Sequence, residues 1–212
     1  MRLYGYWRSS STWRVRIGLE LKGVAYDVAP VNLLHSEHQS EAHRARNPMA
    51  QVPALEVEHN GQRFMLHQSL PILEFIDETC EGPRLLPSDV VERQQARSLA
   101  EIVNSGVQPL QNLAVLKAVE GLGGDRVTWS VPWIDRGLRA LDHVLGDRTF
   151  FFEGRPGFVE ACVVPQLYNA RRFQMDVAQY PALARCEAAC LSQPAFQRSH
   201  PDAQPDAVRA GT

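Results

Sequence analysis

The chain has 212 residues, a formal net charge of −2 and 44% hydrophobic residues, enough for one large domain or two small ones with a sizeable core. This charge balance gives no reason to expect nucleic acid or an anionic membrane as a partner. No apolar run approaches membrane-spanning length, and residues 1–3 lead into a strand-like segment without a secretory signal. The four cysteines form neither a C-x-x-C pair nor a disulfide framework, so we expect a reduced, cytoplasmic protein.

Strand and helix signals alternate over residues 1–80. The predicted elements are strands at 3–6, 26–31, 54–58 and 64–66, helices at 12–22 and 69–80, and a polar stretch at 35–47 with room for a short helix. Gly23 ends the first helix, Asn60-Gly61 is a hairpin turn signal, and Ser69 is the predicted N-cap of the last helix. The order β-α-β-α-β-β-α is that of a thioredoxin-like domain.

The pattern changes after residues 81–88, whose glycine and prolines predict an interdomain linker. From residue 89 to residue 212 we predict an all-helical domain, because no convincing strand pair occurs there. Its predicted helices lie at 89–117, with a kink at Pro109, and at 127–145, 158–173 and 181–192. The fold class is therefore α+β, a thioredoxin-like domain followed by an all-α domain.

Three consecutive serines stand where the first strand passes into the first helix. Ser10 and Ser11 are the predicted N-caps, and Ser9 precedes them. Their hydroxyls meet free backbone N–H groups and the positive end of a helix dipole, and Arg8 and Arg14 lie close in sequence. This combination predicts an anion site, although a plain capped helix explains the serines alone.

Two further junctions carry groups that can bind a peptide-like ligand. Pro53 follows Val52 just before a strand, and a cis bond there presents the Val52 backbone outward for strand-like pairing. Gln68 stands beside Ser69 at the next strand-to-helix junction, where its amide can receive an ammonium or carboxylate group.

Metal binding is not predicted. His35, His38 and His43 are loosely spaced and have no cysteine near them, so a solvated loop explains them better.

Several motifs resemble the zeta class of glutathione transferases, and the resemblance covers nearly the whole chain. They are YWRSSSTWRVRI at 6–17, NPMAQVP at 47–53, HQSL at 67–70, GVQPLQNL at 106–113, VPQ at 164–166, NARRF at 169–173 and SHP at 199–201. Within that class the chain looks most similar to bacterial maleylpyruvate isomerases, with maleylacetoacetate isomerases as near relatives. The resemblance implies a glutathione-transferase architecture, reduced glutathione as cofactor, a small dicarboxylate substrate and a homodimer.

Site residues follow from the same resemblance. Those implied to bind glutathione are Ser9, Ser10, Ser11, Trp13, Arg14, His38, Gln51, Val52, Pro53, Gln68, Ser69, Gln108 and Asn112. Within this set His38 reaches the glycine end, Val52 the cysteine backbone, and Gln68 and Ser69 the γ-glutamyl end. Gln108 and Asn112 come from the second domain. The implied catalytic residues are the three serines together with Arg8 and Arg172, which match the family's candidates for binding the substrate carboxylates.

The chain departs from the family at two places. Ser11 stands where the family commonly has cysteine, so a protein thiol cannot be the nucleophile there. Gly157 and Glu160 replace the usual threonine and aspartate of a helix capping box, which predicts a weaker cap.

Cis–trans isomerisation suits these residues if the nucleophile comes from glutathione, since adding a nucleophile makes the double bond single and eliminating it after rotation leaves the trans product. Lowering a thiol pKa of ~8.5 by about two units takes roughly 2.7 kcal/mol. A helix N-terminus supplies only ~0.3–1 kcal/mol, whereas a hydrogen bond to the charged sulfur adds about 1.5–3 kcal/mol. A hydroxyl or N–H aimed at the sulfur is therefore needed. Ser9, Ser10 or Ser11 can be that donor, and Ser9 or Ser10 is favoured, although the sequence does not rank the three.

Other functions remain open on the sequence alone. The substrate can be maleylpyruvate or maleylacetoacetate, which differ at the distal keto-acid end. A glutathione transferase acting on α-haloacids and a non-catalytic glutathione or ligand carrier are the alternatives to an isomerase.

Overall fold

A computed structural model describes residues 1–208 of the chain. The chain forms two compact units, one of Met1–Leu85 with the segment from Gln193 onward and one of Leu86–Ser192. The predicted helical domain at 89–212 therefore extends beyond the second unit, which ends at Ser192. Positions 209–212 of that prediction lie outside the described residues. In the described part, none of the helices is long and apolar enough to span a membrane.

The first unit has the predicted order of strands and helices. Its elements are β1 (Arg2–Gly5), α1 (Ser10–Lys22), β2 (Asp27–Pro30), α2 (Glu41–Arg46), β3 (Ala54–His59), β4 (Gln62–His67) and α3 (Ser69–Thr79). The sheet order is β2-β1-β3-β4, with β1 parallel to β2 and antiparallel to β3, and β3 antiparallel to β4. The thioredoxin-like prediction is confirmed.

Local sequence explains the turns of this unit. Asn60 and Gly61 both have positive φ, 51° and 73°, which is the geometry of a tight hairpin between β3 and β4. Gly23 ends α1 with φ 68°, a left-handed conformation that glycine adopts without steric cost. The apolar faces of the sheet and helices bury Leu3, Ile17 and Leu55 completely.

The described residues of the second unit form helices, 3-10 turns and connecting loops without any strand, as predicted. Its helices are α4 (Val90–Asn104), α5 (Leu113–Gly121), α6 (Arg126–Leu145), α7 (Phe158–Arg172) and α8 (Pro181–Leu191). The prediction of one kinked helix at 89–117 is wrong, because α4 and α5 are separate helices joined through a 3-10 turn at Gln108–Gln111. α4 ends at Asn104, Pro109 lies inside the 3-10 turn, and the Asn112 side chain accepts from the Ala114 N–H at 2.9 Å to begin α5.

The start of α7 keeps one half of the capping box that the sequence analysis considered weakened. The buried Glu160 carboxylate accepts hydrogen bonds from the backbone N–H groups of Gly157 and Phe151, both at 2.8 Å. Gly157 has no side chain to return the other half. Burial raises the pKa of Glu160, and the two N–H donors oppose that rise.

A helix that was not predicted from the sequence lies in the segment after Gln193. This helix, α9 (Pro194–Ser199), is short and packs against α1 within the first unit. Six residues give too little periodicity for a prediction, so its place depends on tertiary contacts with α1.

Candidate functional site

The three serines lie at the start of α1, but the N-cap is Ser9 and not Ser10 or Ser11 as predicted. Ser9 has an extended backbone (φ −68°, ψ 119°), and its Oγ accepts from the Thr12 N–H at 3.3 Å. Its carbonyl accepts the first helical hydrogen bond, from the Trp13 N–H at 2.8 Å. Because the cap uses Ser9 Oγ as an acceptor, the hydroxyl proton remains available for donation at the positive end of the helix.

Ser10 and Ser11 occupy the first turn of α1, directly after the cap. Ser10 is buried and Ser11 is half-buried. Exposure therefore sets Ser10 apart from Ser9 and Ser11, which are both half-buried, a distinction that the run of identical residues in the sequence could not make.

The side chains of Arg14 and Ser69 are brought together across the first unit. Arg14 is fully buried, and its Nη1 donates to Ser69 Oγ at 3.0 Å. Sequence analysis placed both residues at the glutathione site without a link between them. The contact brings a positive charge to the first turn of α3.

Trp13, which was also predicted to bind glutathione, faces the interior. Its indole is 1% exposed, and the indole N–H donates to Ser199 Oγ at 3.2 Å. The Trp13 ring therefore packs against the segment that contains Ser199 and offers no open face to a ligand.

The loop before β3 is held by side chains that the sequence analysis did not assign to the site. The Gln51 carbonyl accepts from His43 Nε2 and from Asn47 Nδ2, both at 2.9 Å. His43 is 1% exposed within α2, so its interpretation as part of a solvated loop is wrong. The Val52–Pro53 peptide bond is cis, as predicted. The motif NPMAQVP contains Asn47 and was the available signal for this support.

Gln68, and not Ser69, is the residue before α3. Its backbone has φ 67°, uncommon for a residue other than glycine, and its carbonyl accepts from the Ile72 N–H at 3.0 Å. Ser69 is the first helical residue and is buried, so the prediction of Ser69 as N-cap is wrong. The Gln68 side chain is exposed and can reach a ligand at the helix N-terminus.

Arg8 and His38 are the remaining predicted residues of the first unit, and both are half-buried. The Arg8 guanidinium lies 5.3 Å from the centre of the Trp7 ring, a cation–π distance. His38 lies in a 3-10 turn at Glu37–Gln39.

The second unit carries Gln108, Asn112 and Arg172. Gln108 begins the 3-10 turn, and the exposed Asn112 ends it. This turn is fixed to α7 by a buried hydrogen bond from Gln111 Nε2 to Gln166 Oε1 at 2.5 Å. Sequence analysis assigned no role to this pair, although the motifs GVQPLQNL and VPQ contain it.

The two neighbouring arginines at the end of α7 have different surroundings. Arg171 makes a two-pronged ion pair with Glu187, at 2.7 and 2.5 Å. Arg172 is exposed and its Nη1 donates to Asn169 Oδ1 at 3.3 Å. Arg171 is therefore engaged by the Glu187 carboxylate. Arg172, which donates to Asn169, is the better candidate of the two for binding substrate.

Among the described residues, no group of three or more histidine, cysteine, aspartate or glutamate side chains is arranged to hold a metal ion.

Comparison with known proteins places this geometry in a family. Residues 1–78 match the family described as Glutathione S-transferase, N-terminal domain. The chain is 41% identical over 209 residues to the probable maleylacetoacetate isomerase 2 of Drosophila melanogaster, covering 96% of this chain and 89% of that protein.

Solved structures show the same similarity. The maleylacetoacetate isomerase of Anaeromyxobacter dehalogenans with GSH bound in its active site is 50% identical, with a TM-score of 0.89 over 98% of this chain and 97% of that one. Another structure of that protein holds dicarboxyethyl glutathione and citrate in the active site. A maleylpyruvate isomerase described as a bacterial zeta-class glutathione S-transferase is 38% identical, with a TM-score of 0.92 over 98% of this chain and 100% of that one.

A thioredoxin-like unit with a serine turn at the start of α1, together with an all-helical unit, is the fold of a glutathione transferase. The chain belongs to the zeta class of this family, alongside the maleylacetoacetate and maleylpyruvate isomerases. The resemblance found in the sequence motifs is confirmed.

Proposed function

We propose that this protein is a glutathione-dependent cis–trans isomerase that converts maleylpyruvate to fumarylpyruvate, a step of aromatic (gentisate) catabolism. The observation that carries the proposal is the start of α1, where the Ser9 hydroxyl has a proton to donate at the positive end of the helix. Relatives of this chain with that fold are named maleylpyruvate or maleylacetoacetate isomerase.

The residues of the first unit fit the chemistry of glutathione. The tripeptide has carboxylates at its γ-glutamyl and glycine ends, an ammonium group and a thiol. Arg14 and Ser69 offer a buried cation and a hydroxyl at the start of α3, suited to the γ-glutamyl carboxylate, and Gln68 adds an exposed amide beside them. Gln51 is held by α2 through its carbonyl, which leaves the adjacent Val52 backbone as the group for strand-like pairing.

The other residues proposed to bind glutathione complete this set. They are Ser9, Ser10, Ser11, His38, Pro53, Gln108 and Asn112, whereas Trp13 is left out because its ring is buried against Ser199.

When bound, glutathione would supply a thiolate for reversible addition to the substrate double bond. The former double bond can then rotate as a single bond while the conjugated carbonyl oxygen holds the electron pair, and elimination returns the thiolate unchanged. The chain's own part is to keep that thiol ionised. Ser9 or Ser10 donates a hydrogen bond to the sulfur, and the N-terminus of α1 adds its positive dipole. Ser11 carries a hydroxyl where the family commonly has cysteine, so the thiol that adds to the double bond comes from glutathione.

Arg8 and Arg172 are the proposed partners of the substrate. A guanidinium binds a carboxylate through two parallel hydrogen bonds, which suits a substrate with a charged group at either end. The Arg8 guanidinium lies against the Trp7 ring, and Arg8 directly precedes Ser9 in the chain. Arg8 is therefore also suited to stabilise negative charge on the carbonyl oxygen of the substrate.

The test is to add maleylpyruvate to the protein with and without glutathione and to identify the product. We expect fumarylpyruvate only with glutathione present, and all of the tripeptide recovered. If maleylpyruvate is untouched and maleylacetoacetate is isomerised, the substrate assignment is wrong and the isomerase assignment stands. A product that retains sulfur or a released halide from an α-haloacid would instead identify a transferase, and binding of glutathione without turnover of any of these compounds a carrier.

We also propose that the protein is a cytoplasmic homodimer with small-molecule partners, binding neither nucleic acid nor membranes. Large apolar side chains are exposed on both units, Met49 and Phe64 on the first and Val90 and Val91 on the second, with exposed fractions between 45% and 72%. A second copy would cover such side chains. Light scattering should give about twice the chain mass of 23.8 kDa, and a single-chain mass would refute the dimer.

A further inference from the structure

The segment after Gln193 is fastened to α1 by three separate contacts. Arg198 pairs with Glu20 at 2.7 Å. Arg16 Nε donates to the Ser199 carbonyl at 2.9 Å, and the Trp13 indole donates to Ser199 Oγ at 3.2 Å. The segment is thus a part of the first unit and not a loose end beyond it.

The segment then folds back on itself. Gln204 Nε2 donates to the backbone carbonyls of Arg198 and His200, both at 3.0 Å, and Gln204 is buried. This closure carries the chain to Asp206, whose Oδ2 accepts from the Trp7 N–H at 3.1 Å.

Trp7 lies inside the turn that precedes α1. The Ser9 N–H donates to the Tyr6 carbonyl at 3.0 Å, so Trp7 and Arg8 are the two central residues of a tight turn. Asp206 holds the N–H of Trp7, and Arg16 Nη2 donates to its carbonyl at 2.8 Å. Both backbone groups of Trp7 are therefore held from outside the turn.

The two groups that hold Trp7 also carry opposite charges. Burial lowers the pKa of Arg16 to about 10, and the negative charge of Asp206 is among the influences that oppose this fall. Arg16 therefore stays protonated at neutral pH and keeps all its donors. Replacing Asp206 would remove an acceptor from Trp7 and a counter-charge from Arg16 together.

We propose that Asp206 is a positioning residue that sets the orientation of Arg8 and of the Ser9 hydroxyl by holding the backbone of Trp7. This inference rests on the proposed function, because it assigns Arg8 and Ser9 their tasks. If the backbone of Trp7 shifts, the neighbouring Arg8 and Ser9 shift with it. A displacement of about 1 Å at reacting groups can cost about 100-fold in rate.

The test compares Asp206→Ala, which removes the acceptor, with Asp206→Asn, which keeps an acceptor oxygen and removes the charge. Asp202→Ala is the matched control, since Asp202 belongs to the same segment and its side chain is 69% exposed. For each protein we measure kcat, the KM for glutathione, the melting temperature, and the pKa of the bound glutathione thiol from the ultraviolet absorbance of its thiolate.

We expect Asp206→Ala to lower kcat by about 10- to 100-fold. It should also raise the pKa of the bound thiol toward the free value of ~8.5. Asp206→Asn should restore most of both quantities, and Asp202→Ala should match the wild type. Should Asp206→Ala fail to fold, Asp206→Glu, which displaces the carboxylate by one methylene, takes its place with the same expectation.

Two results would overturn the proposal. One is a lower melting temperature for Asp206→Ala with the thiol pKa and kcat unchanged, which is a structural role only. The other is no recovery in Asp206→Asn. A wild-type protein that binds glutathione without isomerising either maleyl substrate would refute the proposed function instead, and the thiol pKa would still report on Asp206.

Discussion

Replacing Ser9 with alanine is expected to lower kcat by about 10- to 150-fold, because the lost hydrogen bond to the thiolate contributes about 1.5–3 kcal/mol. The pKa of the bound glutathione thiol should rise in the same variant, which thiolate absorbance measures without any substrate. Ser9 is expected to have this effect because its Oγ accepts from Thr12 and leaves its proton for the ligand.

The same substitution removes the cap of α1, so the effect on stability has to be separated from the effect on rate. Loss of a serine cap costs about 1 kcal/mol of folding free energy. Ser9→Gly is the matched control, since glycine destabilises an N-cap far less than alanine does and has no side-chain donor. We expect Ser9→Gly to recover most of the melting temperature and to keep the low kcat.

Ser10→Ala and Ser11→Ala complete the series. If Ser9→Ala retains its rate and Ser10→Ala loses it, Ser10 is the donor. Full activity in all three single variants and in the triple variant would contradict the proposal that a serine hydroxyl keeps the thiol ionised.

Replacing Asp77 with alanine is expected to lower the free energy of unfolding by about 3–5 kcal/mol, since it leaves Lys22 buried without its counter-charge. Both side chains are nearly inaccessible, with 3% and 2% exposed, and Lys22 Nζ lies 3.4 Å from Asp77 Oδ1. The same Oδ1 accepts from the Leu85 N–H at 2.6 Å, which fixes the middle of the predicted linker to α3.

Chemical denaturation measures this loss, and an exposed ion pair is its control. Arg126 Nε and Glu120 Oε1 are closer, at 2.7 Å, but both side chains are more than two-fifths exposed. Arg126→Ala should therefore cost only about 0–1 kcal/mol. An Asp77→Ala variant no less stable than Arg126→Ala would refute the argument from burial.

The fold of the first unit was predictable because its signals are local. Asn60-Gly61 and Gly23 need only their own backbone preferences to make a turn and to end a helix. The alternation at 54–58 needs only one buried sheet face. The prediction of one helix at 89–117 was wrong because α4 ends at Asn104 and the new cap at Asn112 begins α5, and apolar periodicity does not record such a break.

The ligand-binding role of the candidate site residues stays a prediction, made from motifs at the strand-to-helix junctions. Their surroundings were not predictable. His43 reads as one of several histidines in a polar stretch, and only its contact with the Gln51 carbonyl shows that it supports the loop before β3. That contact depends on how α2 packs.

By itself, the sequence determined the order of elements in the first unit, the helical character of the second and membership of the zeta class, because adjacent residues encode turns, periodicity and motifs. Only the tertiary structure decided that Ser9 caps α1, that Arg14 holds Ser69, and that Asp206 reaches Trp7 from 199 residues away. Contacts between distant residues depend on how the elements pack, and a single sequence does not record which of its polar groups will meet there.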